Sequence, residues 1–212
     1  MSKKFQLLGT LTAVAAAAAT GVVILAAPAS HAASTACGNL CTDFYPQTTG
    51  ATDIISTTGT AQGSAIDLAT AADLLPEDFQ LSALGTVADF YNAGIIGPAV
   101  GTTWPSDPAY EIEYAPGGSG SGMCLGTAAA AAQNSVITLQ PCGVSADTIW
   151  VGLTVDHIGG YMPFIAGSDT IVNNPYVLTA GPAGASLQTQ KLGLVAGTFA
   201  PKQMWASKTG AI

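Results

Sequence analysis

Two carboxylates, Glu111 and Glu113, stand two residues apart in the stretch Tyr110-Glu111-Ile112-Glu113-Tyr114. The period-two alternation predicts a half-buried strand. On a strand the two carboxylates would share one face about 7 Å apart, a separation found in glycosidase acid/base pairs. Such a pair must flank its substrate from opposite sides, which one strand does not offer. The pair therefore reads as a solvated polar face opposite Tyr110, Ile112 and Tyr114. Asp156-His157 is the other candidate for proton transfer. A triad needs convergence in space, and a histidine beside Gly159-Gly160 reads as an exposed loop residue. Pro116–Gly122 is glycine-rich, but no Lys-Ser/Thr follows it, so it reads as a turn and not a phosphate loop. These residues predict no catalytic centre, no enzyme and no cofactor.

Four cysteines remain for chemistry: Cys37, Cys41, Cys124 and Cys142. A structural zinc site wants two close Cys pairs or histidines. Only Cys37-x3-Cys41 is close, and His157 is the single histidine past the leader, so no metal site is expected. An even cysteine count in an exported chain reads as two disulfides, with three possible connectivities.

Export follows from the N-terminus. Lys3 and Lys4 precede an uncharged apolar run from Leu7 to Ala29, and small residues flank His31 at Ser30 and Ala32. This is the layout of a signal peptide, spanning 1–32, with cleavage between Ala32 and Ala33. The apolar run is also long enough to span a bilayer, so an uncleaved N-terminal membrane anchor is the alternative. The expected location is secreted, extracellular.

The mature chain, 33–212, keeps three lysines, no arginine and all 13 acidic residues, a net charge of −10. That balance disfavours nucleic acid and, once the leader is removed, anionic membrane surfaces. One domain of this size buries about 70% of the surface its unfolded chain exposes.

The elements that must carry these residues repeat. Shifted by 71 residues, Ala61-Gln62-Gly63-Ser64-Ala65-Ile66-Asp67-Leu68 lies on Ala132-Gln133-Asn134-Ser135-Val136-Ile137-Thr138-Leu139, identical at five of eight positions. Phe79 falls on Trp150. Cys124 and Cys142 fall on Asp53 and Ala71, so both cysteines are absent together from the earlier copy. A disulfide vanishes as a pair in this way, which supports Cys124–Cys142 and leaves Cys37–Cys41. A third copy ends at Trp205, with Val177-Leu178 in the place of Cys124-Leu125. The copies span about 37–79, 109–150 and 160–205, with an insertion at 80–108 in which Leu84–Ile96 is expected to form a short helix. Short strands, many turns and three copies of one unit predict an all-β closed structure.

Cys124-Leu125, Cys142 and Trp150, with Gln203-Met204-Trp205 and the degenerate Glu77-Asp78-Phe79, resemble the repeats of ricin-type β-trefoil lectins. The chain looks like a divergent, secreted bacterial member of that family. The resemblance implies a β-trefoil of three repeats, a Trp or Phe buried at the end of each, and a Cys124–Cys142 spacing that fits. It also implies where sugar would bind: an Asp after Cys-Leu and an Asn near the second cysteine. Here the Asp position holds Ile55, Gly126 and Thr179, and the Asn position holds Ala72 and Gly143. None can replace a carboxylate that accepts hydrogen bonds from sugar hydroxyls. Trp104, Tyr110 and Tyr161 are left as candidate carbohydrate-stacking residues, against the commoner role of aromatic packing. The expected function is a non-catalytic carbohydrate-binding-like module for extracellular glycans. The alternative is a secreted structural or protein-interaction trefoil, inhibitor-like, without sugar binding.

Overall fold

A computed structural model describes residues 41–72, 74–143, 145–154, 160–195 and 197–209. The leader, the cleavage site, Cys37 and the Asp156-His157 pair lie outside the described residues.

The chain is built from short strands: β1 (Thr42–Pro46), β2 (Asp53–Thr57), β3 (Ile66–Thr70), β4 (Phe79–Thr86), β5 (Pro108–Tyr114), β6 (Met123–Gly126) and β7 (Thr138–Pro141) come first. Then follow β8 (Trp150–Gly152), β9 (Phe164–Ala166), β10 (Tyr176–Thr179), β11 (Gln188–Lys191), β12 (Leu194–Val195), β13 (Thr198–Phe199) and β14 (Trp205–Thr209). Two short helices, α1 (Val87–Asn92) and α2 (Pro98–Thr103), lie between β4 and β5. All the strand pairings are antiparallel. One sheet runs β11-β10-β9-β8-β5-β6-β7, with β4 added on β5, and β1 pairs with β14, β2 with β3 and β12 with β13.

Alternation along the strands sorts residues between two cores. Trp150, Phe164, Ala166 and Leu178 enter the larger cluster with Phe44, Phe79, Ile112, Leu125 and Trp205. Their neighbours Ile149, Val151, Ile165 and Val177 point the other way, into a second cluster capped by Val87, Phe90 and Val100 of the helices. The helices therefore cover the outer face of β8, β9 and β10.

Three hairpins meet at the centre through a closed ring of backbone hydrogen bonds. Ile66 N–H donates to the Ile137 carbonyl at 3.0 Å, Ile137 N–H to Leu187 at 2.9 Å, and Leu187 N–H back to Ile66 at 2.7 Å. A second ring of donors lies beside it: Gly63 to Leu139, Asn134 to Thr189 and Gly184 to Leu68. Each of these three donors has φ between 62° and 86°. That conformation favours glycine and is tolerated by asparagine, which accounts for the residue types found there.

The indole N–H of Trp150 donates to the Leu125 carbonyl at 3.0 Å, and that of Trp205 to the Leu178 carbonyl at 2.9 Å. Both rings and Phe79 are fully buried. Cys124 and Cys142 are disulfide-bonded across the β6–β7 hairpin. Cys41 is disulfide-bonded too, and its partner lies outside the described residues.

Two expectations need correction. The helix does not begin at Leu84. Leu84–Thr86 belong to β4, and Asp89 Oδ2 accepts from both the backbone N–H (2.9 Å) and the hydroxyl (2.8 Å) of Thr86, which fixes the helix start at Val87. Nor does Glu111 share a solvated face with the half-exposed Glu113. Glu111 is buried and accepts from Thr148 Oγ1 at 3.0 Å and Gly143 N–H at 3.2 Å. Glu113 accepts from Gly122 N–H at 2.8 Å. Both carboxylates are spent pinning loops.

Candidate functional site

Glu111 occupies a role that other side chains fill elsewhere. Gln203 Oε1 accepts from Gly193 N–H at 2.8 Å, and Glu77 Oε2 accepts from Ala72 N–H at 3.1 Å. At the turn around Gly143, Glu111 reaches in from β5 and accepts from both Gly143 N–H and Thr148 Oγ1. Glu111 thus supplies at this turn the acceptor that Gln203 and Glu77 supply at theirs.

The three positions expected to carry a sugar-binding Asp are closed or turned inward. Ile55 is part of the larger core. A Cβ at Gly126 would lie 2.7 Å from the Asp147 carbonyl oxygen and 3.0 Å from Thr148 Cγ2, so a side chain has no room there. Thr179 is buried, donates to the Val177 carbonyl at 3.0 Å and accepts from Gln203 Nε2 at 3.2 Å.

Thr179 nevertheless borders a groove of about 480 Å³. Ser186, Gln188, Gln190, Thr49 and Lys202 are among the residues that line it. The β10–β11 hairpin positions the two glutamines, because alternation on β11 turns Thr189 into the protein and Gln188 and Gln190 outward. Lys202 Nζ donates to Gln190 Oε1 at 2.9 Å, which holds both groups at the rim. A second hollow, of about 540 Å³, shares Thr48 with the groove and is lined by Phe199, Pro201 and Met204. Sequence reasoning did not reach Gln188, Gln190 or Lys202. The signal that could have found them is charge placement: all 13 acidic residues lie at or before Asp169, and Lys191, Lys202 and Lys208 all follow it.

A smaller cleft of about 250 Å³ lies beside β2 and β3, lined by Ser56, Thr57, Asp67 and Glu77 among others. Burial pushes the Asp67 carboxyl above its ordinary range. Ionised Asp67 then costs stability above its folded pKa, and the cost disappears below its unfolded one. Asp67→Asn should therefore stabilise the protein at neutral pH, with the gain shrinking to nothing below the ordinary carboxylate range. Thermal melts of both proteins across that range check the sign. Asp169, also pushed up by burial, is present in both and cancels in the difference.

The three aromatic candidates stand in different settings. Trp104 is half-buried against the second core cluster. Tyr110 packs edge-on to Phe164, with centroids 5.9 Å apart, and lines a hollow with Met162 and Trp205. Burial raises its hydroxyl pKa. Tyr161 meets Tyr45 edge-on at 6.0 Å. Burial raises the Tyr45 hydroxyl pKa most, with smaller contributions from Tyr161 and Asp43. Among the described residues, no three His, Cys, Asp or Glu side chains gather as a metal site requires.

Comparison with solved structures defines the class. The neighbours are β-trefoil proteins, and at these identities the likeness shows the fold alone. One is the designed three-fold symmetric protein ThreeFoil, with a TM-score of 0.55 at 11% identity over 79% of this chain and 97% of that one. Another is the lectin of Polyporus squamosus bound to a human-type influenza-binding epitope, TM-score 0.51 at 11% identity, covering 80% of this chain and 49% of the lectin. A third is an exo-β-1,3-galactanase from Clostridium thermocellum, TM-score 0.53 at 12% identity, covering 81% of this chain and 30% of the galactanase. This chain thus spans about half of that lectin and under a third of the galactanase. No family model matches the sequence, and no curated protein matches it.

Proposed function

We propose that the chain is an exported, non-catalytic carbohydrate-binding module, a divergent relative of ricin-type lectins built from three copies of one β unit. Three sets of parallel contacts support the copies: the ring through Ile66, Ile137 and Leu187, the Trp150 and Trp205 indole bonds, and the turns held by Glu77, Glu111 and Gln203. The 1–32 leader, cleaved after Ala32, would export it. The family's carboxylates are missing at Ile55, Gly126 and Thr179, so the family's usual contact is lost in all copies.

The observation that carries the reading is the groove above Thr179. It holds hydroxyl and amide groups suited to sugar hydroxyls, beside the buried Thr179. One shallow site implies weak binding, strengthened on polymers by multivalency. Pull-down on insoluble chitin, xylan and peptidoglycan should retain the protein on at least one polymer, and Gln188→Ala/Gln190→Ala should abolish retention without shifting the melting temperature. Retention unchanged in that variant, or no retention at all, would reject the groove.

A protein-interaction role is the second reading. It is favoured by the β12–β13 hairpin, where Leu194 and Val195 are 66% and 56% exposed. In that case the polymers retain nothing, and Leu194→Ser/Val195→Ser weakens binding to the partner instead.

A further inference from the structure

The groove has its hydrogen-bonding polarity reversed from a site built around a carboxylate. A carboxylate offers only acceptors, and sugar hydroxyls donate to it. Here the charged group is Lys202, which offers only donors. The groove lining contains no Asp or Glu. Gln190 Oε1 is already engaged by Lys202 at 2.9 Å. The remaining Lys202 N–H groups and the glutamine amide N–H groups are donors that need acceptors from the ligand.

Charge placement points the same way. Residues 170–212 contain three lysines and no acidic residue, whereas residues 33–169 contain all 13 acidic residues and no lysine or arginine. Asp67 is the acidic residue bridged to the groove wall, at Ser186, and it does not itself line the groove. Among the residues that line the groove, the charged one is Lys202. The adjoining hollow, sharing Thr48, extends the surface past a single sugar ring and adds Phe199 and Pro201 as an apolar platform.

We propose that this groove takes an anionic sugar, with the ligand's carboxylate or sulfate ester on Lys202 and its neighbouring hydroxyls on Gln188 and Gln190. This deepens the proposed carbohydrate-binding function and rests on it. The acidic group supplies a charged acceptor for Lys202, and the next sugar of the polymer lies over Phe199.

Matched polymers test it by affinity electrophoresis of the intact mature protein. Polygalacturonate is compared with its carboxyl-reduced neutral form, and dextran sulfate with dextran. The expected result is retardation by an acidic polymer and not by its neutral partner. Which pair discriminates tells carboxylate from sulfate. Lys202→Gln should weaken acidic binding about two- to fivefold, the upper part of the range for an ion pair exposed to water, while Lys202→Arg retains it. Lys202 is exposed, so neither variant should disturb folding. Equal retardation by neutral and acidic forms, lost in Gln188→Ala/Gln190→Ala, would overturn the anionic preference and leave the carbohydrate reading standing. Acidic retardation unchanged in Lys202→Gln would also overturn it. No retardation by any of the four polymers would overturn the anionic preference, whereas retention on chitin, xylan or peptidoglycan would still uphold the carbohydrate reading.

Discussion

Trp205→Ala is expected to destabilise the protein by about 3–5 kcal/mol, the range for deleting a buried large aromatic. Trp205 has no exposed surface and sits in the larger core with Phe44, Phe164 and Leu178. It also joins distant parts of the chain. Its backbone exchanges hydrogen bonds with Met162 at 2.9 Å in both directions, its register partner on β1 is Pro46, and its indole N–H holds the Leu178 carbonyl. Removing the ring opens a cavity and leaves that carbonyl without its donor. Trp205→Phe removes the hydrogen bond and part of the ring while most of the packing stays, so a smaller loss, about 1–3 kcal/mol, is expected. Denaturant unfolding of the three proteins gives the values. A Trp205→Ala protein as stable as the parent would contradict the core described here.

Cys124→Ala/Cys142→Ala should cost about 3 kcal/mol, from the closure entropy that an 18-residue loop releases to the unfolded chain. The folded state changes little, because β6 and β7 are already paired through Cys124↔Gln140 and Leu125↔Leu139. The loss should therefore appear in stability and not in the native spectrum. Mapping of the non-reduced protein should yield a Cys124–Cys142 peptide. A Cys41–Cys124 peptide would contradict the pairing.

Parts of this structure were legible because their signals are strong and local. Two cysteines that vanish together, and tryptophans at matched offsets, carry covalent and packing constraints that survive divergence. The Tyr110–Tyr114 strand was readable from its alternation. The role of its carboxylates was not, because Glu111 is buried by a turn that arrives from Gly143 and Thr148, more than thirty residues later. Period-two patterning places side chains on a face and is silent on what covers that face. The boundary at Val87 was hidden in the same way: Thr86-x-x-Asp89 is a capping signature, and it outweighed the apolar run that suggested an earlier start. The groove was the least legible feature. Its walls come from β11 and from the turn before β14, and the missing Asp drew attention away from the donors around Thr179.

Amide chemical-shift mapping of the isotopically labelled mature protein, titrated with fragments of whichever polymer retains it, tests the central claim most directly. The account predicts perturbations concentrated at 179–190 and around Lys202, extending to Thr48 and Phe199. Perturbations centred instead on Ser56–Thr58 and Asp67, on Gly126 and Asp147, or on Tyr45 and Tyr161 would contradict it.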